Sequence, residues 1–404
     1  MILTPQQALE RLQSQSGKRR VKGESPSLSL SMTIHGRLYA FSGGGRTIIA
    51  PNDDRLPAVL ADCATIPVRS KKSPELAWWL KEYANEMASM KEDTGVRRVT
   101  AIHQVPSTEE LIIEPMLGGI QWGQKIPWCN NLKYPLNGKT YYCYVGCLAT
   151  AISQVLYHWY KRGVRRGCPP TKAYTTKTNK YEVKALPGIS MFDWESMTDG
   201  TPTTSKGKKA VAQLCQYVSA ALEMDYTPYW SAAKMAKAAP VLRDFFAMGD
   251  AKRLEARYMA SGKFKAEIIA ELQKGHPVVM CGSSEESGCH AFVCDGYRST
   301  DDLFHFNWGY TGKGDGWFAL TALTPKTPDD MDFTSNKNAI VGLTPTYLGD
   351  VNGDGYINMS DVTEIIDASI KGEYNPKADV NSDGKVDADD ANKLINHIVG
   401  KEKL

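Results

Sequence analysis

A short acidic pattern occurs twice near the C-terminus, and this duplication constrains the fold more than any other feature of the chain. Asp350-Val351-Asn352-Gly353-Asp354-Gly355 returns as Asp379-Val380-Asn381-Ser382-Asp383-Gly384, 29 residues on (379 − 350). Calcium takes six to eight hard oxygen ligands. Loop 350–361 offers Asp350, Asn352, Asp354, Asn358 and Asp361 at positions 1, 3, 5, 9 and 12, with the Tyr356 carbonyl at position 7. Loop 379–390 offers Asp379, Asn381, Asp383, Asp387 and Asp390, with the Lys385 carbonyl. Gly355 and Gly384 fall at position 6, where the turn is sharpest. A helical apolar stripe follows each loop: Val362, Ile365, Ile366 and Ile370, then Ala391, Leu394, Ile395 and Val399. Neither stripe can be buried alone, so the copies are expected to pack together as a small all-α unit. Two structural Ca2+ sites follow.

Charge sets the same segment apart. Residues 349–400 hold 11 Asp/Glu and 4 Lys/Arg, a net of −7, so the rest carries +10 of the chain's +3 total. Such a modest overall charge gives no footing for nucleic acid as a partner. No apolar run is long enough to span a bilayer. The N-terminus lacks a basic stretch followed by an apolar core, so no signal peptide is visible; the chain is either cytosolic or has had its signal removed.

At 404 residues, two or three domains are expected. A helix over 4–13 and strands within 28–41 and 47–50, broken at Gly43-Gly44-Gly45, come first. A helix over 74–90 places Leu76, Trp79, Leu80 and Tyr83 on one face, and the polar stretch 91–115 reads as a linker open to proteolysis. In a second block, helices over 147–161, 209–222 and 264–274 precede strands at 278–281, 290–295, 304–308 and 317–320. Helices first and antiparallel strands afterwards is an α+β order.

Acyl transfer by cysteine needs a thiolate, a base, a group that orients the base, and donors for the oxyanion. Nine cysteines are present, none in a CxxC pair, which argues against structural zinc. Cys147 stands where a loop enters a helix with Ile152, Val155, Leu156 and Trp159 on its apolar face. There the positive helix end favours a thiolate, and Gly146 allows close backbone approach. His290 opens a strand 143 residues later (290 − 147). Asn307, at the end of the next strand, is the candidate to orient the imidazole, with Trp308 shielding that bond. Gln124 is the candidate oxyanion donor. His158, His276 and His305 read as structural histidines, and Cys143 as a structural thiol.

Four segments in order resemble the streptopain family of bacterial cysteine peptidases, including interpain-like enzymes. They are Trp122-Gly123-Gln124-Lys125-Ile126-Pro127, Gly146-Cys147-Leu148-Ala149-Thr150-Ala151, Cys289-His290-Ala291-Phe292-Val293-Cys294-Asp295-Gly296 and Asn307-Trp308-Gly309. Leu38-Tyr39-Ala40-Phe41 and Asp53-Asp54-Arg55-Leu56-Pro57 are similar to that family's inhibitory prodomain. The resemblance implies a papain-like catalytic domain over 111–345 and an α+β inhibitory prodomain over 1–110, with an activation linker near 91–115. It also implies endopeptidase activity on proteins and peptides, preferring an apolar residue two before the cut, with no catalytic cofactor. Departures from the family pattern are Cys289 in place of glycine, with Cys294 nearby as a second competitor for oxidation, and Tyr310-Thr311 in place of Trp-Gly.

Aspartate at position 12 and one loop–helix per repeat resemble a type I dockerin over 346–404. That implies secretion or cell-surface attachment and a cohesin-like partner, with Met359-Ser360 and Ala388-Asp389 at the positions that set partner choice. Two other function classes fit parts of the chain. One is a catalytically silent adhesin or inhibitor whose calcium module is the active part; the other is a transglutaminase or amidase using the same cysteine.

Overall fold

The structure is a computed structural model. It describes residues 1–16, 27–64, 74–88, 90, 110–164, 167–260, 262–284, 288–320, 337–345, 349–352, 357–375, 377–381, 383 and 385–402. Eight α-helices are described: α1 (Pro5–Ser16), α2 (Pro74–Ala88), α3 (Cys147–Lys161), α4 (Ser205–Ala221), α5 (Ala238–Phe246), α6 (Lys263–Gln273), α7 (Met359–Lys371) and α8 (Ala388–Ile398).

An antiparallel sheet of eleven described strands takes its strands from between Ser29 and Val341. Its strands are β1 (Ser29–Ile34), β2 (Leu38–Gly43), β3 (Arg46–Pro51), β4 (Ala61–Ala64), β5 (Ile112–Ile113), β6 (Lys252–Glu255), β7 (Val278–Ser284), β8 (Gly288–Arg298), β9 (Leu303–Asn307), β10 (Gly316–Ala319) and β11 (Lys337–Val341). The spatial order is β1-β2-β3-β4-β10-β9-β8-β7-β11-β6, with β5 added on β8. The N-terminal strands therefore extend the main sheet instead of forming one of their own. The joint is Ala61↔Phe318, Asp62↔Trp317 and Cys63↔Gly316. Gly316 allows it, since a Cβ there would lie 2.4 Å from the Cys63 Cα.

Successive strand residues face opposite sides, and β8 divides its side chains between two cores. Ala291 and Val293 enter the core built on α3, α4 and α5. Phe292 and Cys294 enter the one roofed by α2 and α6, where Trp79, Tyr83, Phe264 and Ile268 are buried. Packing of this kind, not propensity, holds α2 in place: Trp79 meets Phe292, Phe306 and Trp308 edge-on at 5.4, 5.0 and 6.0 Å. Tyr83 donates to the carbonyls of Leu60 and Ala319, across the β4–β10 joint.

Besides the strands at 61–64, 252–255 and 337–341, which the sequence reading lacks, three features depart from it. The strand stretch 28–41 is split by a turn at His35 and Gly36, both with positive φ. Helix α5 has no counterpart in it; eight of its nine residues lie between Ala239 and Phe246, a segment too short to show periodicity clearly. Of the 91–115 linker, 91–109 lies outside the described residues. Leu111, however, exchanges bonds with Ser299, and Ile112 and Ile113 pair with Arg298 and Tyr297. Ile112 and Ile113 of the expected linker are thus part of the sheet. Asp295 completes this attachment: its backbone oxygen accepts from Met116 and its Oδ2 from Leu117 at 2.8 Å. Gly296 gives the room, because a Cβ there would meet the Ile113 oxygen at 2.9 Å.

At the far end α7 and α8 share a separate core of Val362, Ile365, Ala378, Val380, Ala391 and Leu394. Among the described residues no helix is long and apolar enough to cross a membrane.

Candidate active site

Cys147 is the first residue of α3. Gly146 caps it with φ 91°, a conformation that suits glycine, and a Cβ there would lie 2.7 Å from Met224 and 3.1 Å from the Ser231 oxygen. The first N–H groups of a helix have no intrahelical acceptor, so the turn that carries the thiol also presents donors. The ladder between β8 and β9 stops at Val293↔Asn307, two residues short of Ala291. Beyond that end the Ala291 N–H donates to Cys147 Sγ at 3.3 Å. An N–H donor and a helix N-terminus both favour negative charge on sulfur.

His290 immediately precedes Ala291 in β8 and is partly buried. Burial pushes its pKa down, which favours the neutral imidazole a general base requires. By strand alternation its Cβ leaves on the Phe292 side, the face that α2 covers.

Asn307 has other partners than expected. Its Oδ1 accepts from Gln154 Nε2 and from the Gly309 N–H, each at 3.0 Å, and its Nδ2 donates to the Ile120 oxygen at 2.7 Å. An amide oxygen has two lone pairs, so the atom that would hold an imidazole N–H is already engaged. Asn307 is a buried tie between α3, the 120–122 segment and the loop after β9. Trp308 is fully buried on the α2 side of the sheet, its N–H bound to Asp315 Oδ1 at 2.9 Å and its indole N–H to the Gly314 oxygen at 3.0 Å. Burial pushes the Asp315 carboxyl up to about 6.

Gln124 is half-buried, and its carbonyl accepts the Val145 N–H at 3.0 Å, two residues before the thiol. Gln154, missed in the sequence, links these pieces: its Oε1 takes the Trp122 N–H at 3.0 Å while its amide holds Asn307. The signal was present, since Gln154 is a polar residue amid the buried face of α3. Thr311 also stands out. Its φ of 56° is rare for a β-branched residue, and its N–H is pinned to the Trp122 oxygen at 2.9 Å.

The remaining candidates separate cleanly. His276 bonds Glu271 and Thr344, all buried, and ties α6 to the end of the sheet. His305 holds Asp295 Oδ1 at 2.6 Å; burial alone would lower its pKa, but that carboxylate raises it. His158 is buried in α3, which pushes its pKa down to about 4. Cys143 is a buried free thiol. Cys294 is too, and burial raises its pKa well above normal, so it is a poor competitor for oxidation. The Cys289 side chain lies outside the described residues.

In the C-terminal module Asp354 and Tyr356 lie outside the described residues, as do Gly353, Gly355, Ser382 and Gly384. Among the described residues no three His, Cys, Asp or Glu side chains form a ready metal cluster. The rest of the donor set still fits a cation. Asp350, Asp361, Asp379 and Asp390 are buried carboxylates at positions 1 and 12 of each loop, and buried charges are paired or coordinate metals. Asp361 accepts from Val351, Asn352 and Asn358 N–H groups, and Asp390 from Asn381 and Asp387 at matching positions. Asn358 and Asp387 also cap α7 and α8 in capping boxes closed by Asp361 and Asp390. Asn352, Asn381, Asp383 and the Lys385 backbone complete the described part of the loops, with the Asp383 N–H on Asp379 Oδ1 at 3.0 Å.

Comparison with known proteins gives two family matches: the Peptidase C10 family over residues 122–318 and the dockerin type I domain over 348–399. The thiol protease/hemagglutinin PrtT of Porphyromonas gingivalis is 26% identical over 325 residues, 76% of this chain and 37% of the relative. Streptopain of Streptococcus pyogenes is 25% identical over 332 residues, 76% of this chain and 80% of the relative. The solved structure of a Prevotella intermedia prointerpain A fragment superposes with a TM-score of 0.64 at 25% identity, covering 79% of this chain and 98% of that one.

Proposed function

This chain belongs to the Peptidase C10 family and carries a type I dockerin domain at its C-terminus, and from that premise we propose that it is a cysteine endopeptidase made as a zymogen. Residues 1–110 are the inhibitory prodomain, cut within 91–115; 111–345 are the catalytic domain, and 346–404 the docking module. One observation carries the reading. The N–H next to His290 bonds Cys147 Sγ, so the base-bearing strand and the nucleophile's helix meet at the sulfur.

In the proposed reaction neutral His290 takes the thiol proton and Cys147 Sγ attacks the peptide carbonyl. The C–S bond forms as the carbonyl π pair moves onto oxygen, where the Cys147 N–H and the Gln124 side chain stabilise it. Collapse expels the amine, protonated by His290. Water then attacks the thioester with His290 again as base, releasing the acid and restoring the thiol. Asn307 acts as a positioning residue through Gln154, and Trp308 backs the loop under it. Electrostatic and nucleophilic parts of such a site act as a unit, so losing the thiol removes nearly the whole rate enhancement. Cys147→Ala should reduce casein cleavage to background, and a thiol alkylator should label Cys147 first once the prodomain is gone. Preserved cleavage in Cys147→Ala would sink the reading.

The acidic loops would hold two calcium ions through residues 350–361 and 379–390, ordering α7 and α8 against each other. Their ligand chemistry and the dockerin match support attachment to a cohesin-like partner outside the cell.

A further inference from the structure

Where α2 lies on the sheet, two charged side chains are buried against each other. Lys337 opens β11 with its side chain 3% exposed, and its Nζ is 3.1 Å from Glu86 Oε1, whose side chain is 6% exposed. The same Nζ lies 5.0 Å from the centre of the Trp79 ring. Glu86 and Trp79 both belong to α2, seven residues apart (86 − 79), hence on one helix face. The register sets Lys337 opposite Gly282, and Gly282 opposite His290. Lys337 thus starts from the row that holds the proposed base, two strands away. The next row on the same face, Ala339, Met280 and Phe292, faces the core beneath α2.

An ammonium leaves water without loss only where a carboxylate, a ring or other groups replace its solvation. Here α2 brings both. A second charged contact between the N-terminal strands and the rest, Arg298 to Asp62 at 3.9 Å, is wetter and longer, and such pairs contribute little.

We propose that the Glu86–Lys337 pair is the charge latch that holds α2 over the sheet. The latch rests on the reading of residues 1–110 as a removable inhibitor. Its asymmetry suits that purpose. When the whole segment departs, Lys337 returns to water and no charge stays buried. When only one member is neutralised with α2 still seated, the other stays buried and loses its 3.1 Å charged partner, and the seated state weakens.

The test uses the full chain with Cys147→Ala, so that it stays intact, and reads amide hydrogen exchange in α2 by mass spectrometry. Glu86→Gln and Lys337→Gln should each speed exchange in α2 roughly a hundredfold, with α3 still protected. The exchanged pair Glu86→Lys with Lys337→Glu, and the apolar pair Glu86→Leu with Lys337→Met, should restore most of that protection. Exchange in α2 at the parent rate in both single variants overturns the latch. So does equal loss of protection in the single variants and in both pairs. With Cys147 restored, the single variants should process faster. If α2 loosens but no variant ever cleaves, the latch stands and the protease reading falls.

Discussion

Residues 1–88 and residues 349–402 are both appended to the same catalytic block, yet their described parts are built on opposite plans. The N-terminal part has only a small core of its own, around Ala8, Leu12, Tyr39 and Phe41, and places its other apolar residues in the core under α2 and α6. It also completes the main sheet through β4. The C-terminal part buries Val362, Ile365, Ala391 and Leu394 between α7 and α8, while Ile366, Ile370 and Val399 of the expected stripes stay exposed, and it keeps its four buried carboxylates inside its own loops. A segment that shares strands and core cannot leave without uncovering its host. A segment with a private core can be ordered or disordered by its own ligand and leave the host unchanged.

The largest expected effect that would break this contrast is at Trp79. Trp79→Ala removes a fully buried indole from Phe292, Phe306 and Trp308 and should destabilise the full chain by about 3–5 kcal/mol. Scanning calorimetry should show the loss in the main transition alone; an equal loss in the calcium-dependent transition would mean the two ends are coupled. Next comes calcium. At a hundredfold excess over Kd each bound ion should stabilise the C-terminal unit by about 2.7 kcal/mol. Chelation should unfold α7 and α8 by far-UV circular dichroism and leave the main transition in place. A main transition that moved as much would show that the module is not self-contained.

Acid sharpens the contrast at the end of the catalytic block. Burial would raise the Glu271 carboxyl, but bonds from His276, Lys274 and the Gly342 N–H outweigh it and hold it down at about 2. With a folded pKa below the unfolded one, its stabilisation is complete above about pH 4.5 and is lost as pH falls toward 2, in total roughly 2–3 kcal/mol. Glu271→Gln should flatten the stability profile across that window, and a profile as steep as the parent's would assign the acid loss elsewhere. The smallest effect is at Asn358, which caps α7 and offers a loop oxygen. Asn358→Ala should lower the stability of the C-terminal unit by about 1 kcal/mol and weaken calcium binding, measured by titration calorimetry.

Much of this was legible in the sequence because it is local. Gly146 before Cys147, with Ile152, Val155 and Leu156 behind, marks a helix start, and the structure begins α3 at Cys147. The repeat put Asp361 and Asp390 at equivalent positions, and each accepts N–H groups at equivalent places. What escaped is non-local. Nothing within residues 61–64 says that they will pair with residues 316–318, more than 250 positions away, and register between distant strands depends on the whole sheet. The place of Asn307 in a motif points it at the imidazole, whereas its bonds to Gln154, Gly309 and Ile120 come from three separate segments. Gln154 was overlooked because a single polar residue inside an apolar stripe reads as noise until the buried groups it satisfies are seen.

The joint between β4 and β10 has a consequence for the proposed processing. Under the proposed release of residues 1–110, the main-chain groups of Gly316–Phe318 that pair with β4 would face water, as an open template for any extended chain nearby. The template would be only three residues long, preceded by glycines with positive φ at 309, 312 and 314, which would keep self-association short-ranged. In the proposed zymogen, strand sharing would therefore make colloidal stability, and not only catalysis, a property that changes at activation.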